Sequence, residues 1–480
     1  MKEVLRKSKK KDVKENKIIL LFLLLIIAFT VIDIVINRIN IRNNERITES
    51  LYTVSESSKE QISKLSNEEQ INIYLFDYTE EDYIYDFAKK YHELNNNINV
   101  EIKKVNDDEE LASQYGIKEG EYNILIISGE KSKLYEDDDL YSYDYNTGDI
   151  INLTEQRLTN GIMQVASAIE KYPVYILKGH EKYGINDDMS ILKKYIELEN
   201  YEIKELKLSD NDIPEDCKII VVTALNSDFS DEETDKIKGY INNGGNILWL
   251  EDAIFEEKEF NNANSILEIY GIDKENTGVI LEQEKNKNIM QNPYLILPEI
   301  NIFEEEKINM PSKVMFYYST KLNFVDDEKS KELNVTKTEL LSTSEKALFK
   351  TDLSQDAMTK KEGDEENKFT VGAILEKTLE EDKNSKLIIY ANNYFVTNQT
   401  MTIGKEEIPV VDLYNNKVLI GSSIDYLFEK ESNNTLGKVM PRNYYIGIED
   451  ESVKQAIIIE IIIFALLAVG IVFIKKRNKK

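Results

Sequence analysis

Two apolar runs, one near each end, decide most of what this chain can be. Residues 18–36 read IILLFLLLIIAFTVIDIVI and residues 456–474 read AIIIEIIIFALLAVGIVFI. Each run has 19 residues and one charge, Asp33 in the first and Glu460 in the second. At about 1.5 Å per helical residue such a run spans roughly 28 Å, close to the hydrocarbon thickness of a bilayer. A cleaved leader has a shorter core, about 7–15 residues, and a small-residue cleavage site. Here Asn37-Arg38-Ile39-Asn40 follows, and no lipobox cysteine is present. Two uncleaved transmembrane helices are expected. A carboxyl inside a span faces a partner helix or lies near an end and reaches for the interface. Asp33 and Glu460 are therefore candidates for helix docking, with snorkelling as the alternative.

Lysine and arginine placement sets the orientation. Residues 1–17 hold eight basic and three acidic side chains, and residues 475–480 hold five basic ones, so each tail carries +5. Both termini are expected in the cytoplasm, with everything between the spans outside it. Removing the two +5 tails from the net charge of −28 leaves −38 on the rest. An excess of this sign repels anionic lipid and excludes nucleic acid as a partner, since phosphates need a basic patch. One cysteine, Cys217, rules out an intrachain disulfide. Two distant histidines, His92 and His180, leave no zinc or iron–sulfur pattern; carboxylate sites for calcium or magnesium stay open on composition, and no metal or cofactor is assigned.

Between the spans the pattern is α/β. Residues 37–68 read as a stalk, with Ser55 as a helix N-cap. Residues 69–152 read strand–helix–strand–helix–strand, a small membrane-proximal domain with a parallel pair, thioredoxin-like in arrangement but without Cys-x-x-Cys. Its acidic, tyrosine-rich stretch 135–145 lacks the spaced ligands of a calcium loop and reads as a solvated hairpin. Residues 153–440 read as a larger domain. In it, apolar strands near 173–177, 202–206, 218–223, 246–250 and 386–391 alternate with helices. Ser230 and Glu233 form a capping box that opens one helix, and Gly244-Gly245 is its structural stop. A return linker at 441–455 leads to the second span. In open parallel sheets ligands bind beyond the strands' carboxyl ends. That rule makes Gly179, His180, Glu181, Asn226 and Asp252 a candidate ligand or partner rim.

The order ILKGHEKYG, DIPEDCKIIVVT, DFSDEETDKIKGYINNGGNILWLED resembles the gliding-motility GldG family, the auxiliary component of an uncharacterised ABC-type transport system. The upstream ITESLYTVSESSKEQISKLSNEEQINIYLF and the downstream KLIIYANNYFVTN and LYNNKVLIGSSIDYLFEKE extend the likeness. The second glycine of the family's Gly-His-Gly-Glu turn is absent, and Ala224-Leu225 stands where the family has Gly-Pro. The resemblance implies a glutamine-amidotransferase-like, flavodoxin-like parallel sheet held outside the membrane. It further implies association with a separate ABC permease and a separate ABC ATPase. The chain has no G-x-x-x-x-G-K-[ST] loop and is not itself the ATPase.

Three functions compete at this point. A non-catalytic auxiliary subunit fits the resemblance. An anchored module binding a sugar, peptide or wall polymer fits the topology alone. A hydrolase or amidotransferase needs a nucleophile on a strand-to-helix elbow backed by a histidine. No G-x-S-x-G occurs, and Cys217 precedes its strand instead of following it. No catalytic residue is therefore assigned.

Overall fold

The computed structural model describes residues 53–428, apart from 67–69, 145–148, 167–171, 254–257, 274–277, 302–310, 312, 352–359, 381–382 and 404, together with Arg442–Asn443. The two apolar runs, with Asp33 and Glu460, lie outside the described residues. Among the described residues no helix is long and apolar enough to cross a membrane.

The first sheet grows around β1 (Ile71–Phe76), where Ile71, Ile73 and Leu75 alternate inward. It pairs in parallel with β2 (Ile98–Lys103) through α2 (Tyr83–Leu94), whose Ile84, Phe87, Ala88 and Tyr91 share one face at helical spacing. On its other side β1 pairs antiparallel with β3 (Asn123–Ser128), and β3 with β4 (Lys131–Glu136). The sheet order is therefore β2-β1-β3-β4. Ser55 caps α1 (Glu56–Ser63), accepting the N–H of Ser58 at 3.2 Å. Val54, Ile62 and Leu65 then enter this domain's core, so the segment expected as stalk is built into the domain from residue 54 onward. The short α3 (Glu109–Gln114) covers part of the opposite face. A hairpin follows, formed by β5 (Tyr141–Asp144) and β6 (Asp149–Asn152).

Helix α4 (Thr154–Val165) packs on β3 and β4 and is buried nearly throughout. Gly161 permits the close approach: an added Cβ would come within 2.7 Å of Ile126 and 2.9 Å of Tyr135. Arg157 joins α4 to the larger domain. Its side chain is 3% exposed and lies 3.0 Å from the Glu199 carboxylate.

The larger domain is an eight-stranded mixed sheet. Five strands are parallel, in spatial order β8 (Tyr201–Leu206), β7 (Tyr172–Leu177), β9 (Ile219–Val222), β10 (Asn246–Leu250) and β13 (Asn384–Tyr390). All four residues of β9 are buried, as are Ile247 to Leu250 of β10, which is why these segments read as unbroken apolar runs. Right-handed crossovers place α5 (Ser190–Leu198), between β7 and β8, on one face, and α6 (Asp231–Asn242), between β9 and β10, on the other. Helix α6 packs against α7 (Asn261–Leu267), and α5 against α8 (Asn416–Leu427). Residues 416–427, which the β-rich reading of the large domain would place at the sheet's end, are helical throughout.

Between β10 and β13 the chain makes a long excursion. It adds β11 (Val335–Ser342) and β12 (Thr370–Thr378) antiparallel to the sheet, with Glu299–Ile300 on the outer edge. Strands expected near 314–318, 347–349 and 369–376 are present here as Phe316–Tyr317, Leu348–Lys350 and β12, whereas the short strands at Val279–Leu281 and Asn292–Ile296 fall where the sequence reads as polar and strand-poor.

Candidate functional site

The chain leaves β7 toward β8 on one side and returns to β9 on the other. Neighbouring loops therefore diverge at the carboxyl ends of β7 and β9, the place where open α/β sheets form crevices. Gly179 makes the first bend with a φ of +112°, a conformation side chains resist. Its N–H is taken by the carboxylate of Glu181. The two loops are then laced together along the backbone. Asn226 N–H donates to the carbonyl of His180 at 2.7 Å, Lys182 N–H to Ala224 at 2.6 Å, and Glu181 forms an antiparallel bridge with Leu225.

The His180 ring sits between two partners. Its Nδ1 lies 3.0 Å from Ser227 Oγ, and its Nε2 lies 3.0 and 3.1 Å from the two oxygens of Glu233. Glu233 is also the third residue of α6 and completes its capping box. It accepts the Ser230 N–H at 2.9 Å and the Ser230 hydroxyl at 2.8 Å, while Ser230 accepts the Glu233 N–H. The carboxylate is 5% exposed. Burial alone would raise its pKa, but the bonds from Ser230 and His180 outweigh that and hold it below the usual glutamate value. The Glu233 carboxylate accepts from Nε2–H.

Ser227, His180 and Glu233 thus form a hydrogen-bonded chain of the kind that activates a serine. The remaining requirements of acyl transfer are a nucleophile on a tight strand-to-helix elbow and donors aimed at an oxyanion. Ser227 lies instead on an exposed loop, five positions past the end of β9. The chain of bonds fastens the loop after β7 to the start of α6. Phe229 supports it from below, edge-on to His180 at 5.1 Å between ring centres.

Asp252, beyond β10, meets Lys182 Nζ at 2.7 Å and the Tyr183 hydroxyl at 3.2 Å, and accepts the Ala253 N–H at 3.0 Å. Burial pushes its carboxyl above the usual aspartate value, and Lys182 only partly counters this. Burial and the Asp252 charge push the Tyr183 hydroxyl up to about 12. The Asn226 side chain accepts from Lys258 Nζ at 3.3 Å. Asp228 reaches across to cap α7, taking the N–H groups of Asn262 at 2.9 Å and Ala263 at 3.0 Å. Asn393, past β13, accepts the Ala224 N–H at 2.9 Å.

All five rim residues therefore lie on one edge. Gly179, His180, Glu181 and Asn226 form one knot, and Asp252 is joined to it through Lys182 and Tyr183. Sequence reasoning missed Ser227, Lys182, Tyr183 and the second role of Glu233. Of these, only Glu233 carried a signal, as a capping residue. Among the described residues no group of three or more His, Cys, Asp or Glu side chains could hold a metal ion.

A large groove of about 890 Å³ lies at the opposite, amino edge of the parallel strands, lined by Pro214, Cys217, Lys236, Tyr240, Gly244 and Lys383 among others. Gly244 turns the chain there with φ +89°. Gly245 follows beneath the Tyr240 ring, where an added Cβ would come within 2.3 Å. Burial pushes the Cys217 thiol up to about 12, so the groove holds no activated nucleophile at this position.

A family described as an ABC-type uncharacterized transport system matches residues 171–423, the whole of the large sheet from its first strand to α8. The chain belongs to this family. It is thereby an auxiliary component of an ABC-type transport system, of the GldG type. No curated protein matches it. Among solved structures it is similar to the mmIFT52 N-terminal domain, at 17% identity and a TM-score of 0.38 over 53% of this chain and 96% of that one. A putative ThuA-like protein from Bacteroides uniformis shares 15% identity at a TM-score of 0.33, over 56% of this chain and 96% of that one. A second from Parabacteroides merdae shares 9% at 0.30, over 54% and 90%. These likenesses are remote, and none bears on function.

Proposed function

We propose that this chain is a non-catalytic, two-pass membrane subunit of an ABC transport complex. Both termini are cytoplasmic, and the ectodomain stands over a permease served by a separate ATPase. The observation that carries this reading is the family match across residues 171–423, set between two apolar runs flanked by basic tails. The parallel order β8-β7-β9-β10-β13 is second-first-third-fourth-fifth along the chain, which supports a flavodoxin-like, amidotransferase-like core. The state of the rim supports a role without turnover. Its charged groups are spent on one another, whereas a catalytic edge keeps donors and a nucleophile directed at substrate. One uncleaved helix is enough to anchor a domain, so a second span serves to fix orientation.

The test is copurification of the full chain in mild detergent. A multi-span permease and an ATPase carrying a P-loop should accompany it. Isolation of the chain alone, under conditions that keep known transporters of this class intact, would refute the proposal.

A further inference from the structure

The two ends of the described chain meet on one domain. On the way in, Ser55 N–H donates to the Glu155 carboxylate at 2.6 Å and Thr159 hydrogen-bonds Ser58 at 3.0 Å, which fastens α1 to α4. On the way back, Arg442–Asn443 pairs antiparallel with β6, Arg442 opposite Asn152 and Asn443 opposite Ile151. The return segment thus adds a third strand to the β5–β6 hairpin of the small domain. Only residues 37–54 separate α1 and its cap from the first apolar run, and only residues 444–455 separate the return strand from the second. Even fully extended, the shorter of these reaches about 40 Å.

We infer that the small domain is the membrane-facing foot of the ectodomain, and that its β5–β6 hairpin meets the extracytoplasmic surface of the permease. This rests on the two-pass reading proposed above. The rim on the large sheet is bonded among its own loops and to α6 and α7. The small domain instead presents most of the exposed large apolar side chains. Among the described residues these are Leu94, Tyr122, Ile150 and Met290, and the first three belong to it. Ile150, on β6, is 61% exposed, the most of the four. An apolar side chain held outward on a paired strand is the kind of anchor that fills a partner's pocket.

Charge selects the occupant. Residues 134–152 contain Glu136, Asp137, Asp138, Asp139, Asp144 and Asp149 and neither lysine nor arginine, against the single Arg442 of the return strand. Lys194 of α5 neutralises part of this through Glu136 and Asp139. The rest is repelled by anionic headgroups, so the hairpin is unsuited to lying on the bilayer. It is complementary to a protein surface bearing lysine and arginine.

Photo-crosslinking residues placed at 150 and 290 in the full chain, in native membranes, test this. Position 290 is the control: it is equally exposed but lies on the larger domain. Crosslinking of 150, and not of 290, to the multi-span subunit is expected. Ile150→Asp should weaken copurification about tenfold while Ile150→Val leaves it intact, the pattern of an anchor residue. Crosslinks from 290 alone, from neither position, or from 150 to lipid would overturn the assignment, as would undiminished copurification of Ile150→Asp. Copurification of the unaltered chain separates the two ideas. Its loss defeats the auxiliary-subunit reading, whereas an intact complex with a silent hairpin defeats only the foot.

Discussion

Replacing Arg157 with alanine should loosen the small domain from the large one at a cost that can be worked out from its contacts. The guanidinium donates to Glu199 at 3.0 Å, to the Leu198 carbonyl at 3.3 Å and to the Asp139 carbonyl at 3.1 Å. Truncation leaves Glu199 with a distant Gln156 amide at 3.4 Å and strips both carbonyls of this donor. Breaking a buried pair from one side costs about 3–5 kcal/mol. Glu199 keeps 17% of its side chain exposed and can recover some hydration, so the lower end applies. The neighbouring Lys194 bridges are half-exposed and contribute at most about 1 kcal/mol each. Trp249 is the only tryptophan and is fully buried in the large sheet, so its fluorescence reports that domain alone. Far-ultraviolet circular dichroism reports both domains. In urea, with a slope of about 1–3 kcal/mol/M, Arg157→Ala should lower the dichroism midpoint by roughly 1–3 M and move the Trp249 transition less. Adding Glu199→Ala to that variant should cost nothing further, because the carboxylate has already lost its partner. A midpoint shift below about 0.3 M, or strict additivity of the two substitutions, would show that the buried pair does not couple the domains.

Four further outcomes are expected. Glu233 has a folded pKa below its free value of 4.5, so its contribution is present above that value and is lost as pH falls through the folded one. Glu233→Gln should therefore flatten the acid limb of a stability–pH curve below about pH 5, and superimposable curves would refute this. Cys217, with its thiol pushed up to about 12, should stay unreactive toward a disulfide reagent at pH 8 until denaturant is added. Gly245→Ala should cost about 1–3 kcal/mol in thermal or urea unfolding, because its methyl would collide with the Tyr240 ring. Cysteines introduced at Lys9 and Lys479 should resist impermeant labelling in intact cells, and labelling of either would reverse the proposed topology.

The parallel core was legible because its strands are buried on both faces. Such strands need no alternation, so 218–223 and 246–250 stand out as apolar runs with turn signals on either side. The α6 boundaries were legible for a local reason. Ser230 and Glu233 satisfy the first N–H groups, and Gly244 reverses the chain, all within a few residues. The excursion between β10 and β13 failed that test. Its strands at Asn288–Ile289 and Asn292–Ile296 run two and five residues and escaped notice, whereas the apolar 314–318 did announce Phe316–Tyr317. The hairpin turn uses Met290 and Gln291 at positive φ, where Asn-Gly would have announced it. β11 was hidden for another reason. Its first half reads as loop because Thr336, Lys337, Thr338 and Glu339 are polar, and only pairing with β12 makes it a strand.

The rim shows where sequence order stops informing. Position after a strand was enough to nominate His180 and Asp252, since fold rules put such residues on an edge. What those side chains do is set by partners 47 to 70 positions away: Ser227 and Glu233 for His180, and Lys182 for Asp252. No local pattern encodes those distances. Glu233 shows why a single assignment per residue misleads. One carboxylate closes the first turn of α6 and also holds the His180 ring, so the same charge serves helix capping and loop docking. The pairing of these acids and bases is therefore a property of the folded edge as a whole, and it is why the residues were found by position while their partners were not.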